Sequence, residues 1–542
     1  RYQYIFGVYR QGGFALLEAG SIRSLNAVNI LFKNYADLAV GGIAYWMTGY
    51  GIAYGETYEG LIGTTGFFPS GTFDFATWFF QLSFAATAAT IDSGAVVERM
   101  KLPVYIGLSF MMTAWTYPVV CHWAWGDGWL NNMNFIDFAG TSVVHTLGGT
   151  SGFWCTYLLG PRLGILGKKV PPELAFTEEQ VLITHSVFHG DAGNIILGTL
   201  ILLIGWYGFN CGSTGGVEDH LNIVAGHVAF TTTLGACFGA VVGSTYSIYR
   251  KQFAHPGVCS MGLLAGLVSI TSSPDYISGW GAALAGSIGS ILCVVVHDNL
   301  GRFRIDDPVG VIGVHFIAGC WGTLVPGFFF TDQPCRSEAP AHYGLFYGGG
   351  FTQLGIQLLG LISIIAWASV NTIIYWVVLE RVCGVEMRVS ALQEIVGNDL
   401  VEHGVDSFAR IKAIRQFQDI IMKMSSDPKS SGYFASPDFQ QTSIAPRDFS
   451  EQINTTRDET DTFDEKQQSG KLKPAVQPRS PAAPAGYLSK YRGPVGNGPA
   501  AIAKALLAAA NRQSFEKNDG ESAAVHPSSL PPLPTAEGSS FK

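Results

Sequence analysis

Charge is what this sequence has little of. Only 14% of its 542 residues are Asp, Glu, Lys or Arg, while 48% are hydrophobic, a balance too low in charge for an ordinary soluble domain. The nine cysteines include no CxxC pair and no zinc-type spacing, which argues against a zinc ribbon or a disulfide framework. No cleavable signal-peptide pattern is present either. The net charge of −8 sums two unlike regions, so it says little about partners. No cofactor, metal or nucleic-acid partner is expected.

What the chain does have is apolar length. Up to about Glu380, Lys and Arg are separated by apolar runs of roughly 20 residues, enough to span ~30 Å of hydrocarbon. Eleven such runs cover 2–20, 35–55, 75–97, 102–123, 137–160, 190–210, 220–247, 257–274, 277–299, 308–330 and 346–379. The expected fold is therefore an all-α polytopic membrane protein with eleven transmembrane helices. The expected domains are a membrane domain at 1–380, a cytoplasmic segment at 381–424 and a disordered tail at 425–542, rich in Ser, Pro and charge. The first run opens at Arg1 and is interrupted by Arg10, so it is expected to be clipped at its N-terminus.

Basic residues mark alternate connections: Arg23 and Lys33, Arg99 and Lys101, Arg162 with Lys168 and Lys169, Arg250 and Lys251, Arg302 and Arg304, and Arg381. The remaining connections hold Arg336 alone. The bias of basic residues toward the cytoplasm puts the N-terminus outside and the tail inside. The cysteines read as packing residues, although Cys211 and Cys335 share the outer side, where a disulfide is chemically open.

One stretch recurs. DFAGTSVVHTLGGTSG (137–152) and DPVGVIGVHFIAGCWG (307–322) share Asp, Gly at +3, Val at +7, His at +8, and Gly at +12 and +15. By the loop charges, these two spans cross in opposite directions. That is the pattern of inverted halves, spans one to five and six to ten, with a shared site near the midplane and span eleven outside the repeat. Eight helical residues rise ~12 Å, so His145 and His315, entering from opposite faces, are expected to meet, with the shared glycines allowing close helix approach. An intramembrane histidine is often a packed residue with one hydrogen bond, but two at equivalent repeat positions argue for function. Asp137 and Asp307 read as helix N-caps, Asp137 with some influence on the outer entrance, and Pro308 as a first helical residue. Asp92 is expected to pair with a cytoplasmic Lys or Arg. His122, His227 and His297 lack repeat partners and read as packing or capping residues.

The paired D-x7-H helices resemble the ammonium transporter (Amt/methylammonium permease/Rhesus) family. So do GFALLEAG, QLSFAATAATIDSGAVVER, WAWGDG, GWYGFNCGS and GVEDHLNIVAG, and the likeness covers roughly residues 5–405. It points to the animal- and plant-like Amt branch. The resemblance implies a homotrimer with one pore per subunit in the plasma membrane, and a transporter rather than an enzyme. It also implies Trp125, Phe84 and Ser213 in an outer vestibule, Phe84 and Phe209 as a hydrophobic gate, and His145 and His315 lining the pore below. Rhesus-type members usually lack the vestibule tryptophan and serine, so their presence favours an Amt transporter.

The residue types suit the cargo. Ammonium and potassium share charge and nearly share size, but only ammonium donates hydrogen bonds and yields a proton. An indole face attracts the desolvating cation by ~0.5–2 kcal/mol, a serine hydroxyl accepts its hydrogen, and phenylalanines exclude water. Two uncharged imidazoles can share one hydrogen, which suggests a relay: ammonium loses a proton near the gate, ammonia crosses, and the proton follows. An ammonium sensor and an electroneutral Rhesus-type ammonia channel are the alternatives. A multispan enzyme with a metal on two histidines is a poorer one.

In the tail, MRVSALQEIVGNDLVEHG resembles the family's cytoplasmic segment, which contacts the neighbouring subunit. Val401 stands where plant members often have a phosphorylatable threonine. The pattern at 407–424 predicts a further helix.

Overall fold

The computed structural model describes residues 3–166, 190–216, 218 and 220–405. The expected helix at 407–424 and the expected disorder beyond 425 lie outside the described residues.

Each apolar run falls on helical residues. In chain order these are α1 (Gln3–Ser21), α2 (Ala27–Ala44, continued by a π-helical turn at Tyr45–Gly49 and by Tyr50–Tyr54), α3 (Phe75–Ala95) and α4 (Leu102–Met111, continued through Met112–Thr116 to Tyr117–Trp125). Next come α5 (a π-helical turn Thr141–Thr146, then Leu147–Leu159), α6 (Ala192–Gly212), α7 (Leu221–Lys251), α8 (Pro256–Ile270) and α9 (Gly279–Asn299). The series ends with α10 (a π-helical turn Ile312–Ile317, then Ala318–Phe329) and α11 (Thr352–Val377, continued by Val378–Val382). Among the described residues the only sheet is a two-stranded pairing of Thr57–Tyr58 with Ile62–Gly63 in a connection.

Six of the helical stretches are long and apolar enough to cross a membrane by length and composition alone: Leu102–Asn132, Ala192–Gly212, Leu221–Lys251, Gly279–Phe303, Ile312–Phe329 and Thr352–Val382. Other helices are shorter, as at Pro256–Ile270, or carry polar side chains turned inward. Arg10 and Glu18 of α1, Lys33 and Asp37 of α2 and Asp92 of α3 are all buried. Local chemistry sets several starts. The Asp74 carboxylate accepts from the N–H groups of Ala76 and Thr77 to open α3, Asp191 accepts from Gly193 to open α6, and Ser278 accepts from Gly281 to open α9.

Two apolar clusters form most of the core. One joins α3, α4, α5 and α11 around Phe84, Tyr105, Tyr117 and Val143. The other joins α1, α6, α8, α9 and α10 around Phe14, Trp206, Leu267 and Val314. The GAALAGSIG run of α9 packs tightly, since a Cβ on Gly286 would meet the backbone of Gly235 in α7.

At one end the basic connections gather rather than spreading out. Arg23 pairs with Glu98 at 2.6 Å, Arg162 reaches Glu98 at 3.2 Å and Asp306 at 2.7 Å, and Arg99 donates to the Asp306 carbonyl at 2.8 Å. Residues 387–403 close over this cluster. Val389 N–H donates to the Arg99 carbonyl at 2.9 Å, and Arg388 pairs with Glu394 at 2.7 Å. The Asp399 carboxylate accepts from the N–H groups of Val28 and Asn29 at the start of α2, and Glu402 accepts from Leu102 N–H at the start of α4. The segment thus caps two helices from a distance in sequence.

All nine cysteines are free thiols. Cys211 and Cys335 share an apolar cluster with Val224 and Val228, but they direct their sulfurs to the Ala225 and Asp275 carbonyls. The disulfide left open by their shared side is not formed.

Candidate functional site

The site is built where α5 crosses α10. In α5, Asp137 Oδ1 accepts from the N–H groups of Gly140 and Thr141 at 3.0 and 2.7 Å, and Oδ2 from those of Ser142 and Val143 at 2.8 and 2.9 Å. The Ser142 hydroxyl adds a further bond at 2.8 Å. Asp307 does the same for α10, accepting from Gly310, Val311 and Ile312 at 3.0, 2.9 and 2.8 Å. In both, the chain turns into the helix at a glycine of positive φ, Gly140 at 95° and Gly310 at 89°, a conformation that a Cβ disfavours. Pro308 is not the first helical residue as expected: it lies in the bend that carries Asp307 to its cap, ahead of Gly310 and the helix.

The crossing is close because each helix offers a glycine to the other's backbone. A Cβ on Gly149 would strike the backbone of His315 and Phe316, and one on Gly319 would meet Thr146 N at 3.1 Å. That brings the two imidazoles together: His145 Nδ1 and His315 Nδ1 are 3.0 Å apart, with rings 5.1 Å between centroids and nearly parallel at 20°. Both are buried.

Next to the pair, Phe84 of α3 and Phe209 of α6 meet edge to face at 4.2 Å between centroids, both fully buried. Phe80 completes the aromatic group at 5.0 Å from Phe84. Trp125, at the end of α4, meets Phe84 edge-on at 5.3 Å and is held by a bond from its indole N–H to the Asp137 carbonyl at 2.6 Å. It is only partly buried. Ser213 ends α6 and donates its hydroxyl hydrogen to the Phe209 carbonyl at 2.9 Å, which leaves the oxygen lone pairs free to accept. The structure thus links Trp125 to Phe84, Phe84 to Phe209, Ser213 to Phe209 and His145 to His315.

Two contacts around the histidines were not expected. Trp206, one turn before Phe209 in α6, stacks on His145 at 5.0 Å and 11°. Arg10 of α1 places a terminal nitrogen 3.1 Å from His145 Nε2, with its guanidinium carbon 4.0 Å from the Trp206 ring and 4.3 Å from that of Phe209. Trp206 was legible in principle, since residues three apart share a helix face. Arg10 was visible as a charge inside an apolar run, and its meaning depends on which face of α1 it occupies.

Arg10 also orders the hydrogens. A guanidinium has donors and no acceptor, so His145 Nε2 must be the acceptor and the ring's hydrogen must sit on Nδ1. That hydrogen is donated to His315 Nδ1, which leaves the His315 hydrogen on Nε2. The chain of donors is Arg10, then His145, then His315. A cation beside His145 also makes this a poor place for a metal ion.

Asp92 does not pair with a cytoplasmic base. It is buried in α3, and one oxygen accepts from the Ser151 hydroxyl at 3.0 Å while the other has no hydrogen-bond partner. Arg99, the first basic residue after α3, instead donates to the Asp306 carbonyl and lies 4.0 Å from its carboxylate. His122 packs with one nitrogen 2.8 Å from the Thr57 hydroxyl and the other 3.0 Å from the Ala53 carbonyl, and His227 lies 3.0 Å from the Ile277 carbonyl.

Comparison with known proteins fits this geometry. The chain is 36% identical over 420 residues to ammonium transporter Amt2 of Archaeoglobus fulgidus, covering 74% of this chain and 85% of the relative. It is 35% identical over 416 residues to the putative ammonium transporter 1 member 5 of Arabidopsis thaliana, covering 72% and 81%. Among solved structures it resembles one named Sensor Amt Protein, at 30% identity and a TM-score of 0.64 over 74% of this chain and 96% of the other. It also resembles Mep2 of Candida albicans, at 25% identity and a TM-score of 0.62 over 72% and 84%. The Ammonium Transporter Family model matches residues 3–408, and this chain, a multi-pass membrane protein, belongs to that family.

Proposed function

We propose that the protein moves ammonium, and methylammonium, inward across the plasma membrane. Its spans would be eleven helices in two inverted halves of five plus a last one, over a membrane domain of 1–380. A cytoplasmic segment at 381–424 and a tail at 425–542 would follow, with the N-terminus outside. The family likeness supports a homotrimer with one pore per subunit. The cation is drawn to Trp125, donates a hydrogen to the Ser213 oxygen and sheds its proton at the Phe84–Phe209 gate. Ammonia crosses the apolar section while the proton passes from His145 to His315. Asp137 and Asp307 hold the two helices that carry the rings.

The observation that carries this reading is the 3.0 Å separation of the two Nδ1 atoms, buried beside an aromatic gate. The Asp caps at the same repeat position and the reciprocal glycines of α5 and α10 support the inverted halves. The test is methylammonium uptake in cells without their own ammonium uptake, with His145→Ala and His315→Ala matched for surface expression. Loss of most uptake in both is expected; full uptake in either would sink the relay. The likeness to a protein named Sensor Amt favours a second reading, ammonium sensing with little flux. Signalling retained by a variant without uptake would select it.

A further inference from the structure

Arg10 is a buried cation that the transport cycle does not ask for. It is 2% exposed, its Nε has no hydrogen-bond partner, and among the described residues no carboxylate forms an ion pair with it. An arginine keeps its charge in proteins, and a lone charge at membrane depth is costly enough that a packing role does not account for it. What surrounds it is specific: the faces of Trp206 and Phe209, the ring of Phe14 at 5.5 Å, and the His145 Nε2 acceptor at 3.1 Å. Aromatic faces and one imidazole acceptor are the groups that would hold a desolvated ammonium just inside the gate. Here they hold part of the chain.

We infer that Arg10 is a tethered cation occupying the inner ammonium position, so that it closes the conduit to cation and proton together. The inference rests on the transport reading of the same site. Two effects follow from one side chain. Its charge repels a second cation arriving through the gate. Its N–H also occupies His145 Nε2, the nitrogen that His315 does not engage, so no proton enters the histidine pair there while it stays. The backbone at Arg10 is braced, because a Cβ on Gly205 of α6 would already meet Arg10 Cα at 3.2 Å. Opening therefore has to move the long side chain rather than α1.

The full chain, reconstituted in proteoliposomes, is compared with Archaeoglobus Amt2 and with the neutral variants Arg10→Met and Arg10→Gln, using ammonium-evoked current per protein and methylammonium uptake. Wild type is expected at least tenfold below the archaeal relative. Arg10→Met and Arg10→Gln should each gain at least tenfold, Arg10→Lys should gain less than Arg10→Gln, and adding His145→Ala to Arg10→Gln should abolish the gain. A wild-type current equal to that of the archaeal relative overturns the plug without recourse to any variant. So does a neutral variant that folds, judged by size exclusion, and conducts no better than a conducting wild type. Silence in wild type and in both folded neutral variants overturns the transport reading and the plug with it, whereas the two preceding outcomes overturn the plug alone.

Discussion

A carboxylate that accepts four backbone N–H groups and a hydroxyl, as Asp137 does, sets where a helix begins. Its repeat counterpart Asp307 accepts three. Removing either carboxylate leaves buried donors without an acceptor, at about 1–3 kcal/mol for each that water cannot reach. Asp137→Ala is therefore expected to destabilise by about 3 kcal/mol or more and Asp307→Ala by about 2, with Asp137→Asn in between. Melting of the purified variants in detergent checks the order. Uptake should fall with Asp137→Ala as well, because the turn that aims His145 is the one released. A wild-type melting point for Asp137→Ala would remove the cap from this account. Residues of this kind were legible because their chemistry is local: an Asp a few positions ahead of an apolar run is a cap wherever it occurs. Asp92 and Arg10 were not legible, because their partners come from other helices and sequence distance hides them.

The crossing of α5 and α10 sets the histidine separation at the scale of the element. Gly149 lies against His315 and Phe316, and Gly319 against Thr146, so any side chain at either position wedges the helices apart. Gly149→Ala is expected to cost about 1–3 kcal/mol by overpacking and to reduce uptake, since the two Nδ1 atoms can share a hydrogen only near 3.0 Å. Gly355→Ala in α11, where a Cβ meets nothing within 4 Å, should melt at or above the wild-type temperature. If the two substitutions behaved alike, backbone contact would not be what holds the rings. Helix positions were legible from apolar length, but their ends were less so. α2 begins at Ala27, eight residues before the apolar run expected at 35–55. Asn29, Lys33 and Asn34 fall between the apolar runs expected at 2–20 and 35–55. In the fold they are buried, Asn29 against Glu402 and His403 and Asn34 against Glu18. Polar residues satisfied by remote partners make helix that hydropathy does not recognise.

Across the whole molecule, the cluster of Arg23, Glu98, Arg162 and Asp306 ties the connections after α1, α3, α5 and α9 to one another, and Arg23 extends it to residues 387–403 by donating to the Glu394 carbonyl at 2.8 Å. Burial alone would push the Glu98 carboxyl up, but the charges of Arg23 and Arg162 outweigh it and hold Glu98 at about 2, against an ordinary value of 4.5. Asp306 is likewise held below the usual carboxylate range: burial opposes this, and Arg162 prevails. A carboxyl with a depressed folded value protonates more readily when unfolded. Its stabilisation is therefore complete above about 4.5 and is lost as the pH falls through about 2, about 3 kcal/mol for Glu98. Melting temperature should be level from pH 8 down to about 5 as far as this cluster decides it, then drop steeply on acidification. Glu98→Gln leaves two buried arginines without a shared counter-charge, so it should lower stability at neutral pH by about 3–5 kcal/mol and flatten the acid drop. Two curves of melting temperature against pH, wild type and Glu98→Gln, decide the matter. If they run parallel down to pH 3, Glu98 is not the group that joins these connections. If they converge in acid, the pairing of Glu98 with Arg23 and Arg162 is a principal tie between the helix ends and the segment that closes over them.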